Sequence, residues 1–263
     1  MPLISQVLSF CLALVLTAPL VLLALLSLSP TTGLDFFSDP IHASIDWWHQ
    51  LLFEPQWLSA LTTSLLIASL STPFAVVIAL PLSCRWRLYR DKVALAILIA
   101  SATVLLFPPV VVALSATRLL QAVGLFDTVL GVAFVHGLMS LPVVALLFVS
   151  RLEARPIGTF EAARALGALP IAAGAAWLLA EHRATLVGAI AVGVLTSMSE
   201  ATVTIFVTDT AVRPVTREAL SGLTQDMSPT SFAAFSVWLL GAGMASLFLE
   251  KFLHRRPTNH DSH

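Results

Sequence analysis

Six long apolar runs separated by short polar segments bound what this chain can fold into. They lie at about residues 6–28, 57–82, 93–117, 128–149, 184–207 and 231–250. Each reaches the ~20 residues that an α-helix needs to cross a hydrocarbon layer about 30 Å thick. Inside that layer water cannot satisfy backbone N–H and C=O groups, so a helix must satisfy them internally. Composition agrees, because 57% of the 263 residues are hydrophobic, 11% are charged and the mean hydropathy is +0.91. A soluble domain carries more charge than this. The ~10-residue alternating segments of a transmembrane barrel do not occur, and no polar stretch is long enough to fold as a soluble domain. The first run lacks a basic n-region and is long for a signal-peptide core, so it reads as a retained helix. The expected fold is all-α integral membrane with six transmembrane helices. Residues 1–250 form one transmembrane domain and residues 251–263 a polar tail. Cys11 and Cys84 fall in different compartments and make no disulfide framework.

Loop charge orients the runs. The even-numbered loops and the tail contain Arg85, Arg87, Arg90, Lys92, Arg151, Arg155, Arg164, Arg183, Lys251, Arg255 and Arg256. The odd-numbered loops contain only Arg118, Arg213 and Arg217. Basic residues are retained on the cytoplasmic side of short loops, so both termini should be cytoplasmic. Trp47 and Trp48, with Trp57 just beyond, suit the membrane–water interface, where amphipathic rings collect. Pro108 and Pro109 should break the helical ladder of the third run.

The most informative polar stretch lies between the fourth and fifth runs, at about residues 150–183. Pro156 and Gly158 interrupt the continuation of the fourth helix. Thr159 is placed to cap a new short helix, with Glu161 in its first turn opposing the positive end of the dipole. Phe160, Ala163 and Leu166 recur every three residues, which predicts one apolar face. Gly167 permits the tight turn after the helix. The expected product is a short exposed cytoplasmic helix, of a kind that docks into a groove on a partner.

These residues resemble the signature loop of the permeases of bacterial ABC importers, of the type that includes the spermidine/putrescine, ferric-iron, sulfate and molybdate systems. In that family the loop reads Glu-Ala-Ala, three residues, Gly, nine residues, then Ile-x-Leu-Pro. This chain has Glu161-Ala162-Ala163, Gly167 at the family spacing, and then Trp177-Leu178-Leu179-Ala180. Trp177 and Ala180 replace the closing Ile and Pro, so the return into the fifth helix should differ in detail. Phe107-Pro108-Pro109-Val110-Val111 is similar to the family's Pro-Pro segment, and Gly124-Leu125-Phe126-Asp127-Thr128 to the loop before its next helix. The run His136 to Pro142 resembles the His and Leu-Pro pattern inside that helix. Ser199-Glu200, Pro214-Val215 and Met227-Ser228-Pro229 resemble the polyamine-type subset.

The resemblance implies a non-enzymatic permease subunit of the type I importer family in the bacterial inner membrane. It also implies a polyamine-like, ferric-iron or aminophosphonate-type solute. Phe160, Glu161, Ala162, Ala163, Leu166 and Gly167 would couple the chain to a cytoplasmic ATPase present in two copies. A second permease subunit, either a paralogue or another copy, and a periplasmic substrate-binding protein would complete the assembly in the lipid bilayer. No G-x-x-x-x-G-K-[ST] phosphate loop occurs in the chain. ATP and magnesium would therefore sit on the ATPase, with no cofactor, metal or nucleic acid bound by this chain.

Glu200 lies among hydroxyls in the fifth run, and ionisable groups at membrane depth usually face a cavity or a polar partner. It and Ser199 either line the translocation pathway or sit near the outer surface, bonded to neighbours. His136 either lines the pathway or is bonded to a backbone carbonyl inside the bundle, and the second reading is favoured. Ser64, Ser69, Ser71 and Thr72 form a polar seam or a close-packing helix face, with packing favoured. Arg213 and Arg217 either meet the acidic rim of the binding protein or are solvated. A secondary transporter would need intramembrane ion sites and often internal repeats, and no repeat is evident. A structural membrane subunit would leave the ordered polar loop unexplained.

Overall fold

A computed structural model describes residues 2–29, 44–225, 228–238, 241 and 243. All regular structure among them is helical. The helices are α1 (Pro2–Leu26), α2 (Asp46–Phe53), α3 (Pro55–Tyr89), α4 (Lys92–Ala102), α5 (Pro109–Ala122), α6 (Val129–Glu153), α7 (Gly158–Ala165), α8 (Pro170–Glu181), α9 (Arg183–Ser199), α10 (Thr202–Val207) and α11 (Val215–Gln225). A 3-10 turn, Thr103–Leu106, extends α4, and residues 229–238 are helical.

Two compact units divide the chain, one made of Met1–Ser64 with Arg213–Met244 and the other of Leu65–Val212 with Ala245–His263. In the first unit α1 is apolar along its length, with Phe10 and Val15 largely exposed, as suits a helix bathed in lipid. Trp47 donates its indole N–H to the Ser29 carbonyl at 2.7 Å. Trp57 is buried among Leu51, Ala219 and Ala234. The loop after the fifth run contains an amphipathic helix, α11. Its Glu218 is buried, accepts from Arg213 Nε at 2.8 Å and bonds Gln56. Arg213 is therefore committed to an internal ion pair. The Ser64 hydroxyl accepts the Val215 N–H, a structural role consistent with packing.

The second unit carries the site. Among the described residues three helices are long and apolar enough to span a membrane, within Ser9–Leu26, Pro55–Tyr89 and Val129–Glu153. Two bent pairs raise the number to as many as five among the described residues. Half of the sixth expected run, and the tail, lie outside the described residues. The third run is not one rod: it breaks at Phe107–Pro108, and its two halves meet at 109°. Pro109 stands at the first position of α5, where its missing N–H costs nothing. The fifth run is also interrupted, at Glu200–Ala201, between α9 and α10.

Helix ends pair as the loop charges require. Arg87, near the end of α3, donates to the carbonyls of Leu152 at 2.9 Å and Arg155 at 2.7 Å, near the end of α6. A cation there satisfies orphan carbonyls and opposes the negative end of the helix dipole. At the other end of α6 the Asp127 carboxylate receives the N–H groups of Asp209 and Val212 on one oxygen, and of Thr210 and Ala211 on the other. Loops two and four thus share one side, and loops three and five the opposite side.

Close helix approach in the middle of this unit depends on small residues. A Cβ on Gly137 of α6 would lie 2.5 Å from the Phe74 ring and 3.1 Å from the Ser71 carbonyl of α3. A Cβ on Gly193 of α9 would lie 2.7 Å from Thr72 Cγ2. Ser71 and Thr72 are buried at this crossing, so these two hydroxyls pack between helices, whereas Ser69 is exposed and returns its hydroxyl to the Leu66 carbonyl.

Candidate functional site

The α7 segment is an anchored helix with one free face. After Glu153 the chain turns through residues 154–157 and starts α7 at Gly158. Thr159 does not cap it, because the helix begins one residue earlier and Ile157 holds the N-cap position. The Thr159 hydroxyl instead donates to the Glu181 carboxylate at the end of α8. Glu161 lies in the first turn as expected. The C-terminal stop is built on Gly167, whose φ is +87°. The Ala168 N–H reaches the Ala163 carbonyl and the Gly167 N–H the Arg164 carbonyl, both at 3.0 Å. That paired closure needs a left-handed residue, which glycine adopts without strain.

Phe160 points inward, where it is buried in the core with Phe148 and Trp177 and meets the Tyr89 ring edge-on at 6.2 Å. Ala163 packs against the same core. Leu166 does not share their face, being 90% exposed. A spacing of three falls about 60° short of a full turn at each step, so two steps carry a side chain about 120° away. Glu161, Ala162, Ala165 and Leu166 therefore form an outward surface, continued by exposed Leu169 and Ile171.

Part of what holds α7 in place lies outside its own residues. Trp177 is the largest fully buried side chain, and its indole N–H donates to the Pro156 carbonyl at 3.1 Å. Its ring packs edge-on against His182 at 4.5 Å. Trp177 thus ties α8 to the linker leading into α7. In the sequence it was visible only as a departure from the family pattern. At the end of α3, Arg90 pairs with Glu153 at 2.5 Å and lies 5.0 Å over the Trp86 ring. Asp91 starts α4 by accepting the Val93 and Ala94 N–H groups, and it also binds Arg85. The Arg85 hydrogen bond, with those N–H donors, holds the Asp91 carboxyl below its ordinary range.

The second group of predicted residues surrounds the break between α9 and α10. Ser199 is exposed and its hydroxyl returns to the Thr196 carbonyl. Glu200 is half-buried, and its carboxylate accepts the Val203 N–H at 2.9 Å in the first turn of α10. His136 is buried, and its partners are hydroxyls rather than a backbone carbonyl. Nδ1 lies 3.1 Å from Ser197 Oγ and Nε2 2.9 Å from Thr204 Oγ1. Among the described residues no group of His, Cys, Asp and Glu is arranged to hold a metal.

No family model matches the chain, and no curated protein matches it. Among solved structures it is similar to a chain of a bacterial ABC transporter involved in the import of the acidic polysaccharide alginate. The two share 12% sequence identity and superpose with a TM-score of 0.70 over 95% of each chain. At that identity the likeness speaks for architecture. The chain has the fold of a polypeptide from a bacterial ABC transporter.

Proposed function

We propose that this chain is the permease subunit of a binding-protein-dependent ABC importer in the bacterial inner membrane. The observation that carries the reading is α7, a two-turn helix gripped from within by Phe160 and Trp177 and closed by Gly167. It offers Glu161, Ala162, Ala165 and Leu166 outward. It follows α6 at the end where the basic residues gather, the side to which loop charge assigns the cytoplasm. The likeness in fold supports the same reading. In it, two cytoplasmic ATPases receive this helix and that of a second permease subunit. ATP-driven closure of the pair swings the membrane helices between outward and inward openings. ATP and magnesium are held by the ATPases.

A periplasmic binding protein delivers the solute. The resemblance of Ser199-Glu200 and Pro214-Val215 to the polyamine-type subset favours polyamine-like, ferric-iron or aminophosphonate-type solutes. Ser199 and Glu200 line the outer part of the path. The α9 helix has 17 residues, or about 25 Å of rise, which carries Glu200 most of the way across a 30 Å core. His136, bonded at both nitrogens, supports the path from behind.

Substituting the coupling surface tests this. Glu161→Lys, at an exposed position, should reduce binding-protein-dependent uptake in proteoliposomes about tenfold or more, the effect of losing one interface hot spot. The amount of membrane-inserted chain should stay unchanged. Gly167→Ala should act in the same direction by straining the turn by about 1 kcal/mol. A Cβ there meets nothing within 4 Å, so the penalty lies in the backbone alone. Undiminished uptake with both variants would contradict the docking role.

A further inference from the structure

The α9 helix joins two differently anchored regions. Its first residue, Arg183, follows His182, which packs on Trp177 and so on the assembly that holds α7. Its last residue is Ser199, after which the chain bends through Glu200 and Ala201 into α10. The α10 helix is fixed without help from α9. Thr117 of α5 donates to the Phe206 carbonyl at 2.8 Å, Val203 and Val207 are fully buried, and Asp127 holds the four N–H groups that follow. Any displacement carried along α9 from α7 must therefore be absorbed at the break.

One side chain bridges that break. His136 of α6, 2% exposed, contacts Ser197 on α9 through Nδ1 and Thr204 on α10 through Nε2. One assignment of protons satisfies both contacts of His136 and those that continue from them. The Ser71 hydroxyl donates to Ser197 Oγ at 3.0 Å, and the Ser197 hydroxyl donates to Nδ1. Nε2–H then donates to Thr204 Oγ1, and the Thr204 hydroxyl to the Glu200 carbonyl. That carbonyl belongs to the break itself. The chain of donors runs from α3 through α9 and α6 to α10, with neutral histidine in the middle. His136 lies seven residues into α6, about 10 Å from its start, so the cluster sits toward one end of the span.

We propose that His136 is a positioning residue that pins α9 to α10 across the Glu200–Ala201 break. The His136–Ser197 contact is the one exchanged when α9 moves. The His136–Thr204 side stays, because α10 is held by α5 and by the Asp127 loop, whereas the far end of α9 is tied to the α7 assembly. A neutral hydrogen bond is weak enough to be made and broken in a transport cycle. The direction of motion rests on the reading of α7 as the ATPase-docking helix, but the pin itself can be measured on this chain alone.

A nitroxide pair at Ile190→Cys on α9 and Ile205→Cys on α10, both exposed positions, reports the angle across the break by pulsed electron paramagnetic resonance. The full chain is placed in lipid nanodiscs, with Cys11→Ser and Cys84→Ala as background. The parent should give one narrow distance. Ser197→Ala, which removes only a hydroxyl, should raise the population of a second distance roughly 3- to 10-fold, as loss of one neutral hydrogen bond predicts. His136→Leu, which keeps most of the volume, should do the same, and Thr204→Ala should resemble it. A residue that merely filled space would be replaced by leucine without effect. Distributions superimposing on the parent's in Ser197→Ala would overturn the pin, even were His136→Leu to fail to insert, and would leave the permease reading intact. A released pin in a chain that binds no ATPase would overturn the permease reading and leave the pin standing.

Discussion

Trp177→Ala is expected to cost about 3 kcal/mol or more of stability, the range for emptying a fully buried large aromatic site. The loss has two sources. The indole is fully buried in the cluster shared by α6, α7 and α8, so its removal leaves a large cavity. Its N–H also holds the Pro156 carbonyl on the linker into α7, beside the Arg87 contact to the Arg155 carbonyl. Trp177→Phe should separate the two, retaining most of the packing and losing about 1 kcal/mol with the hydrogen bond. Thermal unfolding of the purified protein in nanodiscs would read both, with the alanine variant melting several degrees below the phenylalanine one. Uptake should fall further than stability alone explains, because α7 loses its grip on the bundle while Glu161 and Leu166 remain in place. Equal melting temperatures for parent and Trp177→Ala would mean that the α7–α8 contact carries no load.

Asp127→Ala is the second large change, at the opposite end of α6. Its carboxylate gathers four backbone N–H groups from one loop, at 2.8 to 3.1 Å. Asp127 adopts φ +54°, a left-handed conformation that aspartate tolerates better than most residues. Water replaces part of what is lost, so about 2–4 kcal/mol is expected rather than the full sum of four charge-assisted bonds. Hydrogen exchange at Asp209–Val212 should accelerate by about tenfold or more, the equivalent of at least 1.4 kcal/mol of local opening. Asp127→Asn should fall between, because its amide offers one acceptor oxygen where the carboxylate offers two. The pH dependence has a definite sign. Partial burial raises the Asp127 pKa, but the four N–H donors outweigh it and leave the carboxyl below its ordinary value. A depressed folded-state pKa contributes stability that is present above the unfolded value, near 3.9, and is lost as pH falls through the folded one. Acidification below about pH 4 should therefore lower the protection of these amides in the parent, measured against their intrinsic exchange rate at each pH, and leave the protection in Asp127→Ala unchanged.

How much of this could be read in advance depended on whether a residue's role is local. The α7 helix, its acidic first turn and its glycine stop were legible because neighbours in sequence determine them, and Gly167 adopts the conformation its position called for. Pro108 and Pro109 likewise announced the break in the third run. The break at Glu200 was not announced, since the polar cluster around it carries no proline or glycine and the run from 184 to 207 reads as one span. It is decided by side chains distant in sequence, His136 and Thr117 among them. The α8 helix was hidden for a similar reason. Its residues read as a loop, and Pro170 at its first position was the sole start signal. Thr159 looked like a cap and serves as a tertiary donor to Glu181. Trp177 looked like a departure from the family pattern, and it is the residue on which α8 and the α7 linker are fastened together.

The most direct measurement of the central claim is a cross-link from the outward face of α7. Leu166→Cys, 90% exposed, is introduced in the Cys11→Ser, Cys84→Ala background, and the chain is purified from its native membrane after treatment with a short bifunctional thiol reagent. A permease predicts a covalent adduct to a polypeptide bearing a G-x-x-x-x-G-K-[ST] phosphate loop, with a yield that changes when ATP is added. An identical reaction at Leu146→Cys, exposed on α6, should give no such adduct. Contradiction would come from a chain that moves its solute in proteoliposomes with no ATPase present, and whose residue 166 reaches no nucleotide-binding partner in the membrane.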